Sequence, residues 1–271
     1  MIDYKKIIGI DASNIQQGGG VTHLIELLYS FDLIIHKDSR VIIWGQSQML
    51  MKISNYPWLL KKSPMLINSG FLKRTVWQLL KLSTQAKNLG CDLLFIVGGS
   101  FVSPFRPVVV MSRNMLPFDY RELFRYGFSL ITFKFILLRW VQSSSFRNAD
   151  GVIFLTNYAR DNVLNIIGKR RGSVSVIPHG LSDRFSHKVK DQKEISFYTA
   201  DKPYQLLYVS SIYPYKHQWN VVEAVAMLRK KGYQLKLMLV GPSFTPSLKL
   251  LKRVIKKHDP NNKWVNYYGE V

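Results

Sequence analysis

One cysteine, Cys91, is the whole thiol content of this chain of 271 residues. No internal disulfide can form, so a disulfide-stapled secreted scaffold is excluded. Cys91 precedes Asp92 and an apolar strand pattern, the setting of a packed, inert thiol. Carboxylates are also scarce: 17 Asp and Glu stand against 38 Lys and Arg, a net charge of +21. An excess of that size favours anionic partners such as phosphorylated substrates or an acidic membrane surface. Nucleic acid gains nothing beyond charge, because there is no helix-turn-helix pattern, zinc-knuckle cysteine set or aromatic RNP-like strand. The reading is no nucleic-acid partner. Long apolar runs are missing too. The longest, over 127–141, is interrupted by Lys134 and Arg139 and is shorter than the ~20 residues a bilayer span takes. The opening MIDYKKIIGIDAS has no apolar leader with a cleavage site, so the expected location is cytoplasmic.

What is present is an alternation of short apolar strands and amphipathic helices. Strands are expected over 6–10, 41–44, 93–97, 108–111, 152–155 and 174–177. Helices are expected over 21–31, 71–88, 120–146 and 158–167. The 71–88 helix should bring Leu72, Val76, Leu79, Leu80 and Leu82 largely to one face, with the Trp77 and Leu79 stripe in the core. Such βα alternation means a largely parallel sheet. A polar stretch without periodicity follows, and then a second alternating unit from Gln205 that runs strand, helix, strand, with a further helix over 246–258 and a last strand at 264–268. The fold class is α/β, two tandem Rossmann-like domains with the second incomplete. The expected division is 1–185, a linker at 186–204, and 205–271.

Two loops carry candidate chemistry. DASNIQQGGG runs from the end of the first strand into a helix. Gly18, Gly19 and Gly20 at a helix start let backbone approach a ligand and offer free N–H groups to an anion. The glycines come too late, and VIIWGQ ends the second strand without an acid, so the dinucleotide fingerprint is not met; no P-loop motif exists either. In the second unit, LLYV and LKLMLV read as strands covered on both faces, joined by a helix with Val221, Val222, Ala224, Val225 and Leu228 at helical spacing. Lys216 and His217 sit between strand and helix, where open α/β sheets bind ligands.

Together the segments GGG at 18–20, RNMLPF at 113–118, FRNADGVIFLTNYARDNV at 146–163, VIPHG at 176–180 and YPYKHQ…EAVAMLRKKG…LMLVGP at 213–242 resemble a family 4 glycosyltransferase. Members are retaining enzymes built from two Rossmann domains, the GT-B architecture. The resemblance implies transfer of a hexose from a nucleotide diphosphate sugar to a lipid-linked or polysaccharide acceptor in cell-surface glycan synthesis, with no metal and no cofactor beyond that co-substrate.

By the same resemblance, Gly18, Gly19 and Gly20 would lie near the donor phosphates and the acceptor. Arg113 and Asn114 stand where the family offers a polar residue, often His, to the donor sugar. Lys216 matches the lysine that clamps the diphosphate, while Ser210 and Ser211 replace the expected Gly-Arg. His217 and Arg113 are the groups that could supply the missing charge, and His179 is a candidate ligand contact. His23 reads as a packed or surface residue. The family's glutamate pair, spaced E-x(7)-E, has no counterpart before Gly269-Glu270-Val271. The expectation is a C-terminally truncated member, with a non-catalytic module needing a complementing C-terminal polypeptide as the competing reading. The basic, aromatic helix over 120–146 would suit a peripheral position on an anionic inner membrane face.

Overall fold

A computed structural model describes residues 6–31, 39–181, 186, 188–189, 191 and 193–270. The chain divides into two compact units, Met1–Leu123 with Phe128–Ser186, and Phe124–Gly127 with His187–Val271.

In the first unit the short apolar runs form seven strands: β1 (Ile7–Asp11), β2 (Arg40–Trp44), β3 (Leu59–Lys62), β4 (Leu93–Ile96), β5 (Val108–Ser112), β6 (Gly151–Phe154) and β7 (Ser173–Val176). They make one parallel sheet in the order β3-β2-β1-β4-β5-β6-β7. Ile10 of β1 stands opposite Ile43 on one side and Phe95 on the other. From β1 the chain moves outward to β2 and β3, then returns and moves the other way from β4 to β7. Right-handed crossovers therefore put the two sets of helices on opposite faces.

The buried clusters agree with that division. On one face α1 (Gly19–Tyr29) and α2 (Ser47–Leu50) bury Val21, Leu24, Leu28 and Met49 against Ile10, Val41 and Ile43. On the other lie α3 (Phe71–Trp77), a π-helical turn (Gln78–Leu82) and α4 (Ser83–Asn88), followed by α5 (Tyr120–Phe124), α6 (Leu130–Asn148) and α7 (Asn157–Ile167). There Trp77, Leu82, Phe146 and Val163 pack on Trp44, Leu94, Ile96 and Val110. Cys91 is half-buried, and burial, with Asp92 beside it, pushes its thiol up to about 11. It stays protonated at neutral pH.

Three expectations need correction here. The helix over 120–146 is two helices: Gly127 has φ 62, and Ser129 starts α6 by accepting a hydrogen bond from the Thr132 N–H at 3.3 Å. Leu72, Val76, Leu79 and Leu80 of the 71–88 helix face outward, while Arg74, Trp77, Gln78 and Leu82 face in. The inward polar pair has a partner, the loop after β1. Finally β3 is an extra strand; its Lys61 and Lys62 break the apolar pattern and suit an edge.

The second unit holds β8 (Tyr204–Val209), α8 (Gln218–Lys230), β9 (Leu235–Val240), α9 (Thr245–His258) and β10 (Val265–Tyr267), in a parallel sheet ordered β10-β9-β8. Both crossovers run the same way, so α8 and α9 share one face. Val222, Val225, Ala226, Leu251 and Ile255 pack there on Leu235, Leu237 and Leu239. Cover on both faces was expected, and one face is open instead: Leu207 and Val209 are exposed among the described residues. Ala224 and Leu228, expected on the packed stripe of α8, are exposed as well. The polar stretch at 186–204 includes residues 187, 190 and 192, which lie outside the described set, as does the expected boundary at 185; a 3-10 turn at Ile195–Phe197 is its one ordered element among the described residues.

Candidate functional site

The order in which strands are added to the first sheet reverses between β1 and β4, and the crevice outside the carboxyl ends of strands at such a point is where open α/β sheets bind ligands. Asp11 ends β1 and is buried. Its carboxylate accepts from the Ser13 N–H at 2.9 Å and from Gln78 Nε2 at 2.6 Å. Gln78 Nε2 also lies 3.1 Å from Ser13 Oγ, and Arg74 Nη1 donates to the Ser13 carbonyl at 3.3 Å. Desolvation pushes the Asp11 carboxyl above the ordinary range, against these hydrogen bonds and the Arg74 charge. The loop is thus pinned by two inward polar side chains one helical turn apart.

Past that anchor the loop runs to Gly18, which takes φ 70 and ψ −160 as the residue preceding α1. Only glycine adopts that conformation at low cost. No side chain caps the helix, so its first N–H groups and positive dipole end are presented outward. Space is open around Gly18 and Gly19, with no atom within 4 Å of a Cβ built there. Gly20 is different. A Cβ there would stand 2.5 Å from Arg113 Nη2, so the guanidinium lies across the glycine.

Arg113 follows β5 and is half-buried, and burial lowers its pKa. Its Nη1 is enclosed without a hydrogen-bond partner, and no ion pair to it exists among the described residues. His23, one turn into α1, faces the same place. Its ring meets that of His179, which follows β7, at 4.5 Å between centroids and 63° between planes. Burial first, then the nearness of His179 and Arg113, pushes the His23 pKa down to about 4. Its Nδ1 is buried without a partner. Arg113 and two imidazole rings therefore converge on one uncapped, glycine-rich helix start.

Beside this cluster a cavity of about 990 Å³ runs along α1 over the open part of the sheet. Ile10, Phe95, Val109, Met111 and Ile153 form its apolar floor, and Gly19, His23 and His179 stand at its rim. Asn114 is exposed and its Oδ1 accepts from the Leu116 N–H at 3.0 Å, so it shapes the turn after Arg113. Among the described residues, no three His, Cys, Asp or Glu side chains converge in a metal-ligand set.

In the second unit the carboxyl end of β8 leads to Ser210 and Ser211. The Ser211 carbonyl accepts from Gln218 Nε2 at 2.9 Å, and Gln218 is buried. Gly241, with φ 136, lets the end of β9 pass against this turn: a Cβ there would lie 2.5 Å from the Ser210 carbonyl oxygen. A 3-10 turn, Pro214–Lys216, precedes His217, which takes the left-handed conformation at φ 53, ψ 34 and starts α8. Lys216 is half-buried. Tyr208 Oη donates to its carbonyl at 2.8 Å, and its Nζ lies 5.3 Å from the Tyr215 ring centre. The ammonium has no ion-pair partner among the described residues. His217 packs edge-on against Trp219 at 5.7 Å.

No family model and no curated protein matches the chain, whereas solved structures do. HepE of Anabaena, in complex with UDP and glucose, aligns at 16% identity with a TM-score of 0.57, over 99% of this chain and 70% of HepE. Sucrose-phosphate synthase of Thermosynechococcus elongatus aligns at 15% identity and TM-score 0.66, over 98% and 71%. WaaG, a glycosyltransferase of lipopolysaccharide biosynthesis, aligns at 12% identity and TM-score 0.61, over 98% and 70%. The fold is that of the GT-B glycosyltransferases. At these identities the likeness establishes the GT-B fold and leaves the chemistry to be argued from the residues.

Within this GT-B frame, Gly18, Gly19, Gly20, Arg113 and His179 come together in the first unit; in the second, Lys216 and His217 adjoin at the start of α8, and Ser211 is tied to that helix through Gln218. His23, expected to be a packed or surface residue, packs against His179, and the sequence reading did not name Arg74 or Gln78. His23 falls one turn beyond the glycines. Arg74 and Gln78 had a weak signal, an i, i+4 polar pair opposite an apolar stripe on the 71–88 helix.

Proposed function

We propose that this chain is a glycosyltransferase that moves a hexose, with retention, from a nucleoside diphosphate sugar to a lipid-linked or polysaccharide acceptor. The observation that carries this reading is Arg113. A half-buried guanidinium without an anionic partner, laid across the glycine start of α1, is arranged to receive an anion. HepE and MnaA, which share the fold at TM-scores of 0.57 and 0.52, were solved with UDP.

The chemistry asks little covalent work of the protein. As the bond from the anomeric carbon to the diphosphate breaks, negative charge grows on the departing oxygen. Fixed cations and oriented N–H groups stabilise it more than they stabilise the ground state. Lys216, Ser211 and His217 are assigned to the diphosphate in the second unit. Gly18, Gly19, Gly20, Arg113, Asn114 and His179 are assigned to positioning donor sugar and acceptor. On the same-face route the leaving phosphate oxygen takes the acceptor hydroxyl proton, and retention follows without a protein nucleophile. No metal is required, because protein cations occupy that role. The +21 charge suits a peripheral, cytoplasmic position on an anionic membrane surface.

The test is incubation of the purified chain with UDP-hexoses and lipid-linked or oligosaccharide acceptors, reading product mass and anomeric configuration. Retained-configuration product that depends on Arg113 and Lys216 supports the assignment. Absence of both UDP binding and transfer overturns it.

A further inference from the structure

The helix layer formed by α3, its π-helical turn, α4 and α6 buries polar residues and exposes apolar ones. Its inner side buries polar residues along with Trp77, Leu82 and Phe146: Arg74 and Gln78 on the first helix, Thr132, Gln142, Ser143 and Ser145 on α6. Its outer side carries large apolar residues as well. Leu72 is 77% exposed, Leu80 67%, Phe133 68% and Trp140 73%, with Val76, Leu79, Ile136 and Leu137 also exposed. Phe133, Leu137 and Trp140 recur at helical spacing, so they form one stripe. Large apolar side chains exposed in rows like these mark an interaction surface.

Charge selects the partner. Residues 71–88 and 130–148 contain no aspartate or glutamate. Lys73, Lys81 and Lys87 on the first helix and Lys134 and Arg147 on α6 are all exposed. Both helices cross the same face of the sheet, as the common core beneath Trp77, Leu82 and Phe146 shows. An apolar stripe with Phe, Leu and Trp, bordered by cations and free of carboxylates, has the chemistry of an interfacial helix. Among the described residues no helix is long and apolar enough to cross a membrane.

We infer that this outer surface of α3, the π-helical turn and α6 docks on a bilayer rich in acidic lipid. Leu72, Leu80, Phe133 and Trp140 enter the headgroup boundary while the lysines meet lipid phosphates. The inference rests on the peripheral position proposed above and names the surface responsible for it. Each Lys near an anionic surface contributes roughly fivefold to partitioning, and the ionic part weakens once the screening length falls to about 8 Å near 0.15 M salt.

Flotation of the full chain with vesicles of phosphatidylcholine alone, or mixed with phosphatidylglycerol, tests it. Binding to the mixed vesicles is expected, with little to phosphatidylcholine. Leu72→Gln, Leu80→Gln, Phe133→Gln and Trp140→Gln together should lower it at least tenfold. Lys73→Glu, Lys81→Glu and Lys134→Glu should lower it about a hundredfold or more. The same charge change on α9, Lys249→Glu, Lys252→Glu and Lys256→Glu, should cost far less. All these positions are exposed, so circular dichroism should be unchanged. Emission lost in Trp140→Phe should be the part that shifts blue on binding. Binding that survives loss of the apolar stripe, or that falls most with the α9 set, leaves a peripheral protein standing and overturns this surface. Self-association abolished by the apolar set, with no vesicle binding, overturns it in favour of a second copy.

Discussion

Arg113 rests on Gly20, its Nη2 2.5 Å from where an alanine Cβ would stand. The contacting atom is the far end of a flexible side chain, so Gly20→Ala should move Arg113 rather than break the fold. Alanine gains up to about 1 kcal/mol over glycine within a helix. Gly18→Ala has the opposite sign. At φ 70, ψ −160 a Cβ is strained however much space surrounds it, at a cost of about 1–3 kcal/mol. Urea unfolding should rank Gly18→Ala below the native chain and Gly20→Ala level with it or above. UDP affinity should fall in both variants.

Asp11 anchors the loop that carries those glycines. Asp11→Ala orphans the buried Ser13 N–H and leaves Gln78 Nε2 with the Ser13 hydroxyl alone, and an unsatisfied buried donor costs about 1–3 kcal/mol. It also removes the carboxylate whose field reaches Arg74. A loss of roughly 2–5 kcal/mol is expected in chemical denaturation. Gln78→Leu keeps the volume and leaves Asp11 its Ser13 donor, so it should cost distinctly less. Equal losses from both variants would mean that the cluster does not hold the loop.

His23 gives a pH signature. Its pKa is pushed from 6.5 to about 4 in the folded chain. Above 6.5 the residue is neutral folded and unfolded, and it has no effect on the pH dependence. As pH falls from 6.5 toward 4 the unfolded chain takes up a proton that the folded chain refuses, so stability is lost across that window. His23→Gln should remove this part of the acid sensitivity. Unfolding midpoints of the two proteins that run parallel from pH 7 to 4 would show that the ring is not held as described.

The strands were legible because parallel strands of this sheet read as short apolar runs whichever side chain meets which helix. Helix faces were not, because apolar residues were assumed to point inward. On 71–88 the inward face is set by the buried Asp11, which recruits Arg74 and Gln78, and Leu72 and Leu80 are turned out. The split near Gly127 was signalled by the glycine and by Ser129 with Thr132 three residues on, yet the apolar run through it masked both. Of the candidate site, the glycine loop and Lys216 stood out by position after a strand. The meeting of Arg113, His23 and His179 depends on the order of β1, β5 and β7 in the sheet, which no local pattern states.

Gly241 should prove the least replaceable glycine of the second unit. Its φ of 136 lies outside the range of other residues, and a Cβ would stand 2.5 Å from the Ser210 carbonyl oxygen and 2.7 Å from its carbon. These are backbone atoms and cannot swing away. Tyr267 Oη also donates to the Gly241 carbonyl at 2.8 Å. Gly241→Ala should therefore raise proteolysis within 204–270 well before the first unit is cut. Uniform proteolysis of both units would show that the β8 turn tolerates the shift.

Lys216→Ala separates the catalytic role proposed for this lysine from stability. Its backbone is held by Tyr208 through the carbonyl, and its ammonium makes no ion pair among the described residues. Lys216→Ala should leave the unfolding midpoint unchanged. If the ammonium meets the departing diphosphate, as proposed, its removal takes away one fixed donor at the point where charge develops. Such a loss costs about 2.7–4 kcal/mol, or roughly 10²–10³ in kcat. Lys216→Arg should recover only part of it, since a planar fork does not reproduce a compact ammonium. Tyr208→Phe is the positioning control: it frees the Lys216 carbonyl but keeps the charge, and should cost far less. A kcat for sugar transfer that Lys216→Ala leaves unchanged would reduce Lys216 to a residue at the start of α8 and move the diphosphate site elsewhere.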